Sequence, residues 1–437
     1  PTPAPAPKPT PKPTPTPKTP RRDRAGGAVT QYVFIIIFTA FVTLALSWGV
    51  WQLSLKFKLY PGIRERDVHK TPTPRLGGIA MFLGVVAAFG VSAANPFFEI
   101  VWADSGPVLA ILGATLIIVV VGVVDDLWDL DWTIKLGMQF LAAGIIALFG
   151  VQIFSLPIGG LTIGSSWASI TLTIFAIVLV MNAVNFIDGL DGLVAGVCLI
   201  ANGVFFVYSY LLVRETGSST FFNLASLLAA VLIGVCLGFL PMNWNPAKLF
   251  MGDAGALMLG LLMATSAIAV TGQLDPAILD PDVLGRSQLL GAFIPILLPV
   301  AVVLLPLLDF GLAVLRRMAA GKSPFSPDRK HLHHRMLDLG HSSRSAVLIF
   351  YAWTAIVAFA VLLMFMPAPE WLAWVRPSYL IGIVYGVIGI AACLVLTVTP
   401  PPRSRPVDAA APASSDEEAA ASEPPTLPST APAKESS

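Results

Sequence analysis

The scarcity of charge over residues 29–398 constrains this chain more than any other feature. Those 370 positions hold only 37 Asp, Glu, Lys and Arg residues, whereas a soluble domain is about one-quarter charged. So few charges cannot cover the surface of a water-soluble body of that length. A soluble enzyme, a nucleic-acid-binding protein and a disordered chain are excluded, and an integral membrane protein is what is left. The hydrophobic share of 55% of all residues agrees.

The two ends differ in character. Residues 1–28 alternate proline with small or basic residues, and proline at that density blocks helix and favours extended backbone. Residues 399–437 are rich in Pro, Ala and Ser around an acidic patch at Asp416, Glu417 and Glu418. Both ends are expected to be disordered tails, leaving 29–398 as one polytopic domain. Cys198, Cys236 and Cys393 lie far apart inside apolar runs and read as small core hydrophobes, not a disulfide framework.

A hydrocarbon layer of ~30 Å takes about 20 apolar residues per helical crossing. Windows of that length predict eleven crossings, near 31–55, 76–94, 106–124, 133–151, 166–184, 192–213, 221–240, 254–272, 288–313, 346–366 and 378–398. Long apolar runs without alternation mean helices, whose backbones satisfy their own hydrogen bonds in lipid, and not a barrel. The expected fold is an all-α integral membrane bundle with its chemistry in loops at one face. Loops 56–75, 125–132, 185–191, 241–253 and 314–345 then share one side. Counting Lys135 at the mouth of its helix, that side takes 15 of the 18 basic residues of 29–398, and the positive-inside bias makes it cytoplasmic. Arg21, Arg22 and Arg24 argue the other way, and the whole-chain count outweighs them.

The five histidines and Asp125, Asp126, Asp188, Asp191 and Asp253 fall on this same side. Merely solvated loops would carry charge on both faces. The stretch VGVVDDLWDLDWTIKLGMQ (121–139) ends an apolar helix with Asp125 and Asp126. Adjacent carboxylates raise each other's pKa unless a cation lies between them, so a divalent metal or a basic partner is expected, with Lys135 nearby. A polar helix end with a snorkelling lysine is the plainer alternative. In MNAVNFIDGLDGLVAG (181–196), Asn182, Asn185, Asp188 and Asp191 recur every three residues and would share one face if the helix continued. Such a stripe suits Mg²⁺ or Mn²⁺ with substrate phosphates, and Gly189 would let a ligand approach the backbone. A polar turn between two crossings is the alternative here.

In NWNPAKLFMGDAGALMLG (243–260), Lys248 precedes Asp253 at a helix start, where amides and the helix dipole favour phosphate. Asp253 reads equally as a metal ligand or as a cap. RKHLHHRMLDLGH (329–341) sets His331, His333 and His334 beside Arg335. No cysteine is near and the spacing fits no common zinc pattern, so a cationic clamp on phosphate fits better. HKTPTPRLGG (69–78) is a basic loop entering a helix, and Asp309 is a further ionisable group at the end of an apolar run. Metal-holding oxygens, phosphate-clamping cations and apolar walls together are the equipment of phosphoryl transfer.

With these motifs in place, the sequence resembles the polyprenyl-phosphate N-acetylhexosamine-1-phosphate transferase family (glycosyltransferase family 4). HKTPTPRLGG, DDLWDLDWTIKLGMQ, NAVNFIDGLDGL, NPAKLFMGDAGALMLG and HLHHRM carry the likeness, in the family's order, across about residues 60–345. The PTPRLGG and HLHHR forms are similar to the WecA/TagO-like branch acting on UDP-GlcNAc. The resemblance implies transfer of GlcNAc-1-phosphate from UDP-GlcNAc to a membrane polyprenyl phosphate, undecaprenyl or decaprenyl, with release of UMP. It implies that Asp253 and Asn185 hold Mg²⁺, with Mn²⁺ as a substitute, and that Lys135 touches the donor diphosphate. Gly189, Asp191 and Phe250 would bind uridine; Arg335, His331, His333 and His334 would clamp the diphosphate and sugar; Asp125 and Asp126 would act on the lipid phosphate. Asp188 joins the catalytic carboxylates, and Asn182 and Lys248 the substrate-binding groups. The implied location is the plasma membrane with the site facing the cytoplasm, and a homodimer is compatible with it. Two positions depart from the family pattern: Ala256 stands where Ser is usual, and Asp67 where a basic residue is common.

The same chemistry with UDP-MurNAc-pentapeptide or another UDP-N-acetyl sugar is the first alternative. A secondary transporter is the second, but it would set its polar groups near mid-membrane and show an internal repeat. Here they gather at one face, and no repeat is visible.

Overall fold

In the computed structural model of the chain, residues 21–59, 73–153, 165–216, 220–271, 308, 311–312, 314–319, 321, 332–365 and 379–400 are described. The helices are α1 (Arg21–Phe57), α2 (Gly77–Ala94), the short α3 (Glu99–Trp102), α4 (Ser105–Trp128), α5 (Trp132–Leu148), α6 (Ser166–Phe186), α7 (Leu193–Thr216) and α8 (Thr220–Asn243). They continue with α9 (Gly252–Thr271), the short α10 (Leu332–Asp338), α11 (Ser343–Phe365) and α12 (Tyr379–Val398). No strand occurs among the described residues. Among the described residues, nine helices are long and apolar enough to cross a membrane, while α5, with 17 residues, is shorter. Ten of the eleven expected crossings therefore correspond to helices. The expected crossing at 288–313 lies, apart from three residues, outside the described ones, so the count of eleven is not confirmed.

The boundaries follow local chemistry. The helix α1 begins at Arg21, inside the segment expected to be unfolded. Pro20 is the last proline of the tail, and a helix can start directly after a proline but not run through a series of them. Asp104 caps α4, its Oδ1 accepting from Gly106 N at 3.1 Å. The same helix ends where Asp129 turns left-handed (φ 50°), donating its N–H to the Asp125 carbonyl at 2.9 Å. Asp131 starts α5 by accepting from Thr133 N at 2.8 Å.

At the centre lies α9, the most enclosed of the nine apolar helices, and at the periphery lie α1 and α12. Lipid removes the hydrophobic drive between helices, so close packing of small residues decides which one is central. Gly122 of α4 lies directly against the Ala254 backbone, and a side chain there would overlap it. A Cβ at Gly260 would come within 2.6 Å of Met181 Cα on α6. α9 packs on α2, α4, α6 and α8.

Helices α4, α6 and α8 end, and α2, α5, α7, α9 and α11 begin, at one common end of the bundle, as the hydrogen bonds between these termini show, and Trp51 near the end of α1 meets Lys248 there. The Lys135 ion pairs with Asp125 and Asp253 meet there. That is the placement expected for loop chemistry and opposite to a transporter's.

Candidate active site

Asp253, on the first turn of α9, is the hub. Its Oδ1 accepts from Asn185 Nδ2 on α6 at 3.1 Å, and its Oδ2 from Lys135 Nζ on α5 at 3.2 Å. Lys135 also reaches Asp125 Oδ2 on α4 at 2.5 Å, so one ammonium bridges two carboxylates. Asp125 Oδ1 accepts from Leu130 N at 2.8 Å, which fastens the α4–α5 turn and aims the carboxylate inward. The cation is expected between Asp125 and Asp126; Lys135 lies instead between Asp125 and Asp253.

Asp126 does something else. Its Oδ1 accepts from Asp253 N at 3.3 Å, which makes it the cap of α9 supplied from another helix. That corrects the expectation that the amides at this helix start are all free for phosphate. Asp126 Oδ2 is buried without a hydrogen-bond partner. Gly252, next to it, has φ +66°, and a Cβ there would strike Asp126 Oδ2 and the Arg75 carbonyl; only glycine fits the turn. A main-chain clasp closes the region: Phe250 N donates to Pro74 O at 2.8 Å, Gly77 N to Phe250 O at 2.9 Å and Gly78 N to Met251 O at 2.9 Å. It holds the PRLGG segment beside the Asp253 turn and brings Arg75 within electrostatic reach of Asp126 and Asp188.

The stripe expected from Asn182 to Asp191 does not persist. α6 stops at Phe186 and α7 starts at Leu193, with turns between them and φ +78° at Gly192. Two glycines within four residues break the helix. Asn182 and Asn185 stay on α6, where Asn182 donates to Gln139 Oε1 at 2.6 Å. Asp188 and Gly189 lie exposed in the turn. Asp191 is buried and accepts on Oδ2 from Asn245 Nδ2 at 2.9 Å and Ala247 N at 3.0 Å. Much of its role is thus to hold the 243–248 segment. Asp188 meets solvent but is crowded by protein; this desolvation, then the negative Asp253, pushes its carboxyl up to about 7, against the pull of Arg75.

Lys248 is exposed, its ammonium 5.6 Å from the centre of the Trp51 ring on α1, a cation–π arrangement. Phe250 is half-buried within the clasp. Arg335 is exposed on α10, and no hydrogen bond or ion pair joins it to the carboxylates among the described residues. The side chains of His333 and His334, and all of His331, fall outside the described residues, as do Asp67, His69 and Asp309. Ala256 is fully buried one turn into α9, so the hydroxyl that Ser would bring there would lie inside the bundle and not on the site's floor. Motif reading passed over Arg75 as an individual residue, although it sits in the PRLGG run. It missed Gln139, Asn243, Asn245, Arg344 and Tyr351, whose roles exist only through contacts distant in sequence.

A metal ion has a fitting place. No group of three His, Cys, Asp or Glu is arranged for one among the described residues, but Mg²⁺ commonly takes only one or two carboxylates plus phosphate and water. The Asn185 amide lies 3.1 Å from Asp253 Oδ1. Turned over, it would present a carbonyl oxygen beside the Asp253 carboxylate, two oxygens of the kind Mg²⁺ takes.

A bundle of lipid-spanning helices whose ionisable groups gather at one mouth defines an integral-membrane enzyme acting at the membrane surface. Residues 108–271 match glycosyl transferase family 4. The decaprenyl-phosphate N-acetylglucosaminephosphotransferase of Mycobacterium tuberculosis is 39% identical over 339 residues, 77% of this chain and 83% of that protein. A probable undecaprenyl-phosphate N-acetylglucosaminyl 1-phosphate transferase of Bacillus subtilis is 32% identical, over 74% of this chain and 81% of its own length. The undecaprenyl-phosphate alpha-N-acetylglucosaminyl 1-phosphate transferase of Escherichia coli K12 is 28% identical, over 78% and 86%. The chain belongs to the polyprenyl-phosphate N-acetylglucosamine-1-phosphate transferases of glycosyl transferase family 4.

Proposed function

We propose that this protein transfers GlcNAc-1-phosphate from UDP-GlcNAc to a polyprenyl phosphate at the cytoplasmic face of the plasma membrane, giving polyprenyl-diphospho-GlcNAc and UMP. The observation that carries the reading is the convergence of Asp125, Lys135, Asn185 and Asp253 from four helices at the bundle mouth. The names of the relatives support the acceptor and the transferred group. The concentration of cations at the site end supports the cytoplasmic orientation.

An oxygen of the lipid phosphate attacks the phosphorus bearing GlcNAc, and the bond from that phosphorus to the UMP oxygen breaks. No base is needed, since a phosphate monoester with a second pKa of about 6 is mostly dianionic at pH 7. Asp125 and Asp126 therefore serve by position: Asp125 holds Lys135, and Asp126 holds the start of α9 that bears Asp253. Lys135, already shared between two carboxylates, can pass one of its contacts to the donor diphosphate. Arg75 and Arg335, with His331, His333 and His334 close to Arg335 in sequence, would complete the cationic side. Asn185 and Asp253 would hold Mg²⁺ or Mn²⁺, which would neutralise charge on the donor diphosphate. The Asp188–Asp191 turn, with Gly189 and Phe250, receives the uridine, and Asn182 and Lys248 line the approach. Catalysis is then mainly positioning and charge neutralisation, as phosphoryl transfer requires.

The test is UMP release by purified protein in detergent given polyprenyl phosphate, Mg²⁺ and one donor. Release with UDP-GlcNAc, dependent on lipid and on metal, is the expected result. Release only with UDP-MurNAc-pentapeptide would move the donor assignment, and no release with either would overturn the reading.

A further inference from the structure

We propose that α11 is a brace for the Asp188–Gly192 turn and that Tyr351 is the positioning residue through which it sets that turn for nucleotide binding. The proposal rests on the transferase reading and deepens it. α11 lies beyond residues 108–271, and Tyr351 belongs to none of the motifs that carry the family likeness.

The peptide groups of Gly192 are held from both sides. Its N–H donates to Asn243 Oδ1 at 3.0 Å, and its carbonyl accepts the Tyr351 hydroxyl at 2.5 Å alongside the helical bond from Gly196 N at 3.0 Å. The Tyr351 ring fills the groove left by Gly196, where any side chain would overlap it, and lies 6.5 Å from the Trp244 ring. Arg344 sits seven residues, or two turns, earlier on the same helix face. Its guanidinium donates to the Asn245 carbonyl at 2.9 Å and to Asn245 Oδ1 at 3.3 Å. Asn245 Nδ2 and Ala247 N in turn converge on Asp191 Oδ2. So α11 holds Gly192 directly and Asp191 through Asn245.

Upstream the turn is joined to α6 by short local bonds, Asp188 N to Asn185 O at 3.2 Å and Gly189 N to Ile187 O at 2.7 Å, with Ile187 and Leu190 buried in the core. Its downstream anchor then sets where the exposed Asp188 and Gly189 stand relative to that core. Arg344 is exposed, and exposed contacts of this kind are weak; Tyr351, half-buried against glycine, is the rigid member. α11 also follows α10 closely, with His341 N donating to Met336 O at 3.1 Å. The helix bearing Arg335 and the turn expected to receive the nucleotide are thus mounted on one element.

Tyr351→Phe keeps the ring in its groove and removes the hydroxyl. In the full-length protein in detergent, UMP affinity by calorimetry and the KM for UDP-GlcNAc are expected to weaken about five- to tenfold, the worth of one well-placed hydrogen bond. The KM for polyprenyl phosphate should stay within about twofold, and Tm within a few degrees. Tyr351→Leu, which also empties the groove, should lower Tm as well, which separates packing from positioning. Unchanged UMP affinity in Tyr351→Phe, or an equal loss for donor and acceptor, overturns the brace. A wild-type protein that binds UMP but transfers nothing overturns the transferase reading, and the ratio of UMP affinities still judges the brace. A wild-type protein that binds no UMP overturns both.

Discussion

At the scale of the single residue, Asp253 carries the heaviest load, because it meets Lys135, Asn185 and, through its own amide, Asp126. Asp253→Asn keeps the shape and removes the charge. Turnover is expected to fall by about 100-fold or more, the scale for losing one preorganised electrostatic group, and steady-state UMP release across a Mg²⁺ titration measures it. Asp188 gives a pH signature. Its folded-state pKa is raised above its unfolded value of about 3.9, so the folded protein holds a proton that the unfolded chain releases first. Stability should then fall as pH rises from about 4 toward 7 and stay low above that. Without metal, the Tm in detergent should drop between pH 5 and pH 8; Mg²⁺ should offset more of the loss at pH 8 than at pH 5, and Asp188→Asn should flatten the profile. The carboxylates were legible in the sequence because adjacent acids at the end of an apolar helix are costly enough to demand a reason. The bridging by Lys135 was not, since Asp253 lies 118 positions from it and nothing in either motif names the other.

At the scale of the element, a helix's place depends on its small residues more than on its apolar ones. Every crossing is apolar, so hydropathy located the helices but gave no hint that α9 would be central; that follows from Gly122 and Gly78 in the helices around it and from Gly260 in its own sequence. Gly122→Leu should force α4 away from the Ala254 backbone, costing about 1–3 kcal/mol of stability and carrying Asp125 and Asp126 out of register with Asp253. Gly113→Leu, on the same helix where nothing lies within 4 Å of the added carbon, should be neutral. Thermal midpoints and UMP release of the two variants make the comparison, and equal effects would refute it. The three-residue spacing from Asn182 to Asp191 misled as a face because helical periodicity holds only while the helix does. Gly189 and Gly192 were visible as breakers, but where the chain would go after them depended on Asn243, Asn245 and Tyr351.

At the scale of the whole molecule, the ion pairs of the described residues lie at one end of the bundle. Labelling tests which way it faces. In a background lacking the three native cysteines, Asp129→Cys lies at the site end and Asp104→Cys at the opposite end, each beside a terminus of α4. A membrane-impermeant maleimide should reach Asp129→Cys from the cytoplasmic side alone and Asp104→Cys from the other side alone; the reverse pattern would invert the orientation. The bundle class and the one-sided chemistry were readable from where charge is missing and where it gathers.

The main-chain clasp between Pro74, Gly77 and Gly78 and the Phe250–Met251 strand of backbone also dictates when the protein can become an enzyme. Synthesis runs from the N-terminus, so α2 enters the membrane long before its partner exists, and water must serve the amides of Gly77 and Gly78 in the meantime. The clasp has its members once Phe250 and Met251 are made, and the cap from Asp126 and the Lys135 bridge wait for Asp253 on α9. A nascent chain stopped short of residue 252 therefore carries α1 to α8 and none of the activity, and competence arrives late, with the segments from α9 onward.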